Sequence, residues 1–367
     1  MSNKDKKYPS EKKVFKDKKT SREIWQITDF PCQHNKLYIT TNSWTPDGKY
    51  IIFLGQRGTN IWNLFKVAMS SGEITQLTDE KAHINPYNPD ISSDGNWVWY
   101  HTGTGEIKGV HIETLEEKVI ANIPEGSWSS TIAETPDGKN IIGRVNYHKN
   151  LLQPDYMENY ELNRTITIIS LDGKETPQQV MQEEFPFGHV LPPNKDGVIV
   201  YSKYDQGELW RIDSDGKNKR RLYGHYHDIW ITHPVWLNND EVLFNEWPKA
   251  MKKISLDGKV ETITEFNAFH PAVSPDKNTV VCDTTHPDTG IYLVDIKKKK
   301  KELLCLDECV SIGGGQWGEE RPYPVVHHYP WHVPSTHCHP SFNRNGTQVL
   351  FNSNRGSEYM QLFVVII

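Results

Sequence analysis

SWTPDGKYIIFLG, residues Ser43–Gly55, sets a tight Asp-Gly turn in front of an apolar strand. Such a turn between apolar runs is the strongest short-range hairpin signal, because its backbone suits residues that tolerate positive φ. The same design returns as DISSDGNWVWYHT (Asp90–Thr102) and AETPDGKNIIGRV (Ala133–Val145). Weaker copies follow as LPPNKDGVIVYSK (Leu191–Lys203), VWLNNDEVLFNEW (Val235–Trp247), AVSPDKNTVVCDT (Ala272–Thr284) and SFNRNGTQVLFNS (Ser341–Ser353). A second hairpin with its own turn usually comes next, as in NLFKVAMSSGEITQLT (Asn63–Thr78), TITIISLDGKETPQQV (Thr165–Val180) and LWRIDSDGKNKRRLY (Leu209–Tyr223). Four strands per repeat of roughly 40–50 residues is the spacing of propeller blades. The expected fold is all-β, a seven-bladed β-propeller.

The two ends predict how the ring closes. EIWQITDF (Glu23–Phe30) closely resembles EITQLTDE (Glu73–Glu80), the outermost strand of the first blade, and the chain stops at MQLFVVII (Met360–Ile367) with its last blade one strand short. Residues 23–30 are therefore expected to complete that blade and remove an exposed sheet edge. Residues 22–367 then form a single propeller domain. Residues 1–21, lysine-rich and poor in apolar side chains, are expected to be a disordered leader. Two intervals break the rhythm, 147–163 and 307–336, and long loops in a compact domain are often functional.

Composition narrows the function. The 367 residues carry a formal net charge of −6 with the signs interspersed, which argues against nucleic acid as a partner. No apolar run is long enough to span a bilayer and no secretory signal opens the chain, so no membrane partner and a cytoplasmic location are expected. The 5 cysteines are scattered without CxxC pairs and read as reduced thiols.

The histidines are informative through their register. His233-Pro234, His270-Pro271 and His339-Pro340 each stand six residues before a hairpin turn, at Asn239, Asp276 and Asn345; Asn88-Pro89 holds that place in the second blade. A fixed distance before the first turn is a fixed height on the innermost strand, which lines the central channel. His337 lies two residues before His339, so alternation can aim both the same way. His270, His337 and His339 are thus expected to form a three-imidazole site for a first-row divalent metal. The plainer alternative is repeat grammar, with each imidazole bonded to the neighbouring blade. His34, His83 and His189 precede other turns at different offsets, and His327, His328 and His332 sit in the long interval before the last blade.

The run THCHPSFNRNGTQVLFNS (Thr336–Ser353) resembles the last blade of the oligogalacturonate lyases, and FHPAVSPD (Phe269–Asp276), ITHPVW (Ile231–Trp236) and CQHNKLYITTNSWTPDG (Cys32–Gly48) are similar to further segments of that family. The resemblance runs in order from about residue 22 to the end. It implies a seven-bladed propeller that holds a divalent ion, Mn2+ in the type case, and cleaves short acidic oligosaccharides, the oligogalacturonates, by β-elimination. Carried over, it implies that His270, His337 and His339 are ligands and that His233 is the Brønsted base. The family's fourth ligand is a glutamine where this chain has Pro334, which cannot coordinate through its side chain; His332 or water is the expected replacement. Arg211 is a loose match to an arginine that assists the substrate. Two other readings predict different behaviour: a lyase for another uronate-containing oligosaccharide, and a non-enzymatic TolB-like propeller for protein docking. A peptidase propeller would need a hydrolase domain, and no GxSxG elbow is present.

The chemistry explains why such groups would gather. β-Elimination removes a C5 proton α to an ionised carboxylate, a poor carbon acid unless positive charge offsets the second negative charge. A neutral imidazole can then take the proton.

Overall fold

The computed structural model describes residues 2–102, 104–123, 127–147, 163–183, 187–203, 207–224, 230–285, 287–309 and 337–367. Every regular element among them is a strand, and the strands form seven antiparallel sheets. In five of the sheets the strands follow chain order from the innermost outward, and in the first and seventh, N-terminal strands are added at the outer edge. The fifth sheet is the plainest case, with Trp230–Trp236, Glu241–Trp247, Ala250–Ser255 and Val260–Thr264 side by side. The hairpin turns expected from the sequence join the first two strands of these sheets. At Gly48 the φ of +70° is a backbone conformation that an L side chain seldom adopts.

The buried core is divided between the sheets. Seven apolar clusters each bridge two neighbours around the ring. One of them joins Leu350, Leu362 and Val364 of the seventh sheet to Ile51, Phe53 and Phe65 of the first. An open array of seven sheets would have six such interfaces, so this cluster is where the ring closes. Closure is sealed by Glu23–Gln26, which pairs with the C-terminal strand Gln361–Ile366 in the register Ile24↔Val365, Trp25↔Val364 and Gln26↔Phe363. The N-terminal segment thus supplies the missing strand, as its likeness to Glu73–Glu80 predicts.

The leader departs from expectation. Residues 2–21 are not a disordered tail: Lys13–Lys16 pairs with Glu23–Gln26 as a fifth strand of the seventh sheet, and Lys7–Tyr8 pairs along Ile74–Gln76 of the first. Its charge suggested solvation, but its few special side chains are anchored. Tyr8 packs on Phe65 and Phe15 on Phe363. Glu11 takes two hydrogen bonds from the buried Arg57 guanidinium, at 2.7 and 2.9 Å, and two more from the backbone of Asp29 and Phe30. The Asp17 carboxylate accepts from the backbone N–H of Lys19, Thr20 and Leu306.

Of the two irregular intervals, 148–162 and 310–336 lie outside the described residues. No helix among the described residues is long and apolar enough to cross a membrane.

Candidate functional site

The inner ends of the fourth to seventh sheets meet at one place. His233 lies within Trp230–Trp236, where pairing with the next strand slips between Thr232 and Val235, a bulge that re-aims the side chain. The backbone at His233 has φ +51°, and His189 and His339 both have φ +45°. Positive φ is uncommon outside glycine and costs of order 1 kcal/mol or more at each residue. Three histidines on three sheets share it, which marks the position as one where orientation outweighs backbone comfort.

The rings are in contact. His270 lies 4.3 Å from His233, 4.2 Å from His339 and 5.3 Å from His337, centroid to centroid. Ligand-capable nitrogens of His270, His337 and His339 all fall within 4.8 Å of one another. Asp283 organises the set: its Oδ1 accepts from the His270 backbone N–H at 2.7 Å, and its Oδ2 lies 2.7 Å from His270 Nδ1. That partner places the ring proton on Nδ1 and leaves the Nε2 lone pair available, the arrangement of a carboxylate–histidine–metal unit. Burial drives His270, His339 and His337 below the ordinary imidazole range, and the neighbouring rings add to the effect at the first two. Neutral imidazole is the ligating form. The donor set therefore fits a first-row divalent cation.

His233 stands beside this triad without being part of it. Its ring is 4.6 Å from His189 on one side and 4.6 Å from Phe269 on the other. It is buried, and its Nδ1 has no hydrogen-bond partner among the described residues. Burial first, then the charges of His270, His189 and His337, hold it well below the usual range. A neutral ring with an uncommitted nitrogen is what proton abstraction needs.

The structure adds residues that the sequence did not single out. Tyr38, from the first sheet, reaches His189 of the fourth, with its hydroxyl 3.0 Å from Nε2, and its ring packs edge-on against His339 at 5.1 Å. His189 Nδ1 is 3.1 Å from Ser202 Oγ, and burial, reinforced by Arg144, takes this histidine down to about 3. Phe269, Trp230 and Trp247 form an apolar wall behind His233. Asp283 carried a signal in retrospect: it immediately follows Thr279–Cys282, the strand that pairs with the one after His270. Tyr38 carried none, since its partner is 151 residues away.

Other candidates lie elsewhere. Arg211 is on the third strand of the fourth sheet, Glu208–Asp213, and pairs with Asp213 at 2.7 Å. His34 packs on Phe53, and His83 Nδ1 accepts from the Trp62 backbone N–H. Asn88, at the second blade's equivalent position, accepts from the His101 backbone N–H. His327, His328, His332 and Pro334 lie outside the described residues.

Comparison with known proteins gives a consistent result. A family model described as oligogalacturonate lyase matches residues 2–253. An oligogalacturonide lyase of Pectobacterium atrosepticum is 23% identical over 374 residues, covering 93% of this chain and 92% of that protein. An oligogalacturonate lyase of Dickeya dadantii is 23% identical over 376 residues, with the same coverage of 93% and 92%. A solved oligogalacturonate lyase in complex with manganese aligns with a TM-score of 0.84 at 19% identity, over 100% of this chain and 98% of that one.

Proposed function

The chain belongs to the oligogalacturonate lyase family, and from that membership we propose the division of labour within its site. The protein is a metal-dependent lyase that cleaves short oligogalacturonates by β-elimination, leaving a 4,5-unsaturated uronate at the new end. His270, His337 and His339 hold the divalent cation, Mn2+ by analogy with the manganese complex of its structural relative. A cation bound there supplies positive charge to offset that of the uronate carboxylate. Asp283 fixes the His270 tautomer, and the rigid, strained backbone at His339 fixes its aim. His233 takes the C5 proton at Nδ1, and Phe269 and Trp230 pack edge-on against its ring and hold its orientation. The C4–O bond then breaks. In this reading His332 is the remaining candidate for a fourth ligand, Arg211, paired with Asp213 away from the histidines, has no part in the chemistry, and the working compartment is the cytoplasm.

The observation that carries the proposal is the meeting of four imidazoles from three sheets, one of them with an uncommitted nitrogen. The test is turnover of digalacturonate, followed by the ultraviolet absorbance of the conjugated product, before and after chelation. Activity lost on chelation and restored by Mn2+ supports the assignment. Activity indifferent to chelator with metal demonstrably removed overturns it.

A further inference from the structure

A second donor cluster stands behind the histidine segment. Cys338 separates His337 from His339, but its side chain turns away from them. Its Sγ lies 2.7 Å from Cys309 Sγ and 3.0 Å from Asp307 Oδ2. One oxygen of Asp307 and both sulfurs fall within 4.8 Å of one another. The Asp288 carboxyl is hydrogen-bonded to that of Asp307. Asp307 and Cys338 are both buried, and the Cys309 sulfur also reaches the Asn352 carbonyl at 3.4 Å.

Four acidic groups therefore face one another, Asp307 and Cys338 buried, Cys309 half-buried and Asp288 exposed at the outer side. The charges acting on the carboxyl pair come from other carboxyls, Asp283 among them. Ionised acids gathered in a buried site are unfavourable unless a cation joins them. In the ion-free state burial holds the Asp307 carboxyl above the ordinary carboxylate range.

We propose that Asp307, Cys309 and Cys338, with Asp288, form a second cation site, for a borderline-soft divalent ion of the Zn2+ class. Two sulfurs with carboxylate oxygens suit zinc, whereas Mg2+ and Ca2+ take oxygen ligands. Tetrahedral Zn–S bonds place two sulfurs about 3.8 Å apart. Rotation of the cysteine side chains opens the present 2.7 Å to that distance. Each thiol gives its proton to solvent as the ion binds. Such an ion would tie residues 307–309, which leave the sixth sheet, to Cys338, which enters the seventh. It would brace the backbone that carries His337 and His339.

The test uses the full-length, reduced, chelator-stripped protein, titrated with Co2+ as a spectroscopic stand-in and with Zn2+. The expected result is a thiolate-to-Co2+ charge-transfer band that persists in His270→Ala and disappears in Cys309→Ser and in Cys338→Ser. In the unaltered protein, Zn2+ should shield both cysteines from alkylation, as read by peptide mass mapping, a measurement that needs no variant to fold. Metal-saturated protein with no such band and fully alkylated Cys309 and Cys338 overturns the proposal. So does a Cys309–Cys338 linked peptide that survives reduction and metal loading, since the sulfurs would then bond to each other. Neither readout depends on lyase turnover.

Discussion

At the scale of single residues, His233 and Asp283 carry separable duties. Replacing His233 by Ala should lower kcat by at least about 10²-fold, the lower range for loss of a positioned base, while metal content stays at the unaltered level. Loss of metal in that variant would make His233 a ligand instead. Asp283→Asn keeps the size of the side chain but removes the charge beside His270 Nδ1. Outer-shell partners of this kind are worth about 10–100-fold in metal affinity. The variant should bind Mn2+ that much more weakly in equilibrium dialysis and recover turnover at higher Mn2+; unchanged affinity would remove Asp283 from the account. Register pointed to His233, His270 and His339, because position six before the turn repeats from sheet to sheet, and alternation along the strand added His337. Register could not find Tyr38 or Asp283, whose partners are set by ring closure and by pairing with the neighbouring strand.

At the scale of elements, the leader is the instructive case. Its lysines are those of a solvated tail, and composition says nothing of the buried ion pair, among several exposed ones, that helps to dock it. Arg57 has a side chain with no exposure, and Glu11 is its counter-charge. The guanidinium lies 4.9 Å from the Tyr8 ring centroid and 5.2 Å from that of Phe30. Burial alone would raise the Glu11 carboxyl, but hydrogen bonds from Arg57, Asp29 and Phe30 outweigh it and the net shift is downward. A depressed folded-state value adds stability that is complete above the unfolded carboxylate range and fades as pH falls through the folded value. Glu11→Gln should therefore lower the melting temperature at neutral pH, since a buried pair broken on one side loses up to about 3–5 kcal/mol of stability. The gap between the two proteins should narrow in acid. A gap that is constant with pH would show that packing, not charge, holds the leader.

At the scale of the whole molecule, the ring is legible because each repeat announces itself with a turn and an apolar strand, and because the closing segment Glu23–Phe30 resembles Glu73–Glu80 of the first blade. Closure also makes the site, since Tyr38 of the first sheet meets His189 of the fourth and His339 of the seventh around one channel. Removing residues 1–28 would strip two strands from the seventh sheet, expose Gln361–Ile366 as an open edge and unseat the fully buried Ile24. That truncation should aggregate on expression, as unpaired edges do, whereas removal of residues 1–12 should leave a folded, less stable ring. Light scattering and thermal melts distinguish the two. A monomeric, cooperatively melting 1–28 deletion would contradict the closure described here.

The central claim is that one cation sits among His270, His337 and His339, with His233 adjacent but uncoordinated. Anomalous diffraction from crystals grown with Mn2+ tests it most directly. The account predicts a manganese peak within coordinating distance of a nitrogen of each of the three rings, with the His233 Nδ1 unbound. A peak at other residues, or one that includes His233 in place of any of the three, would contradict it.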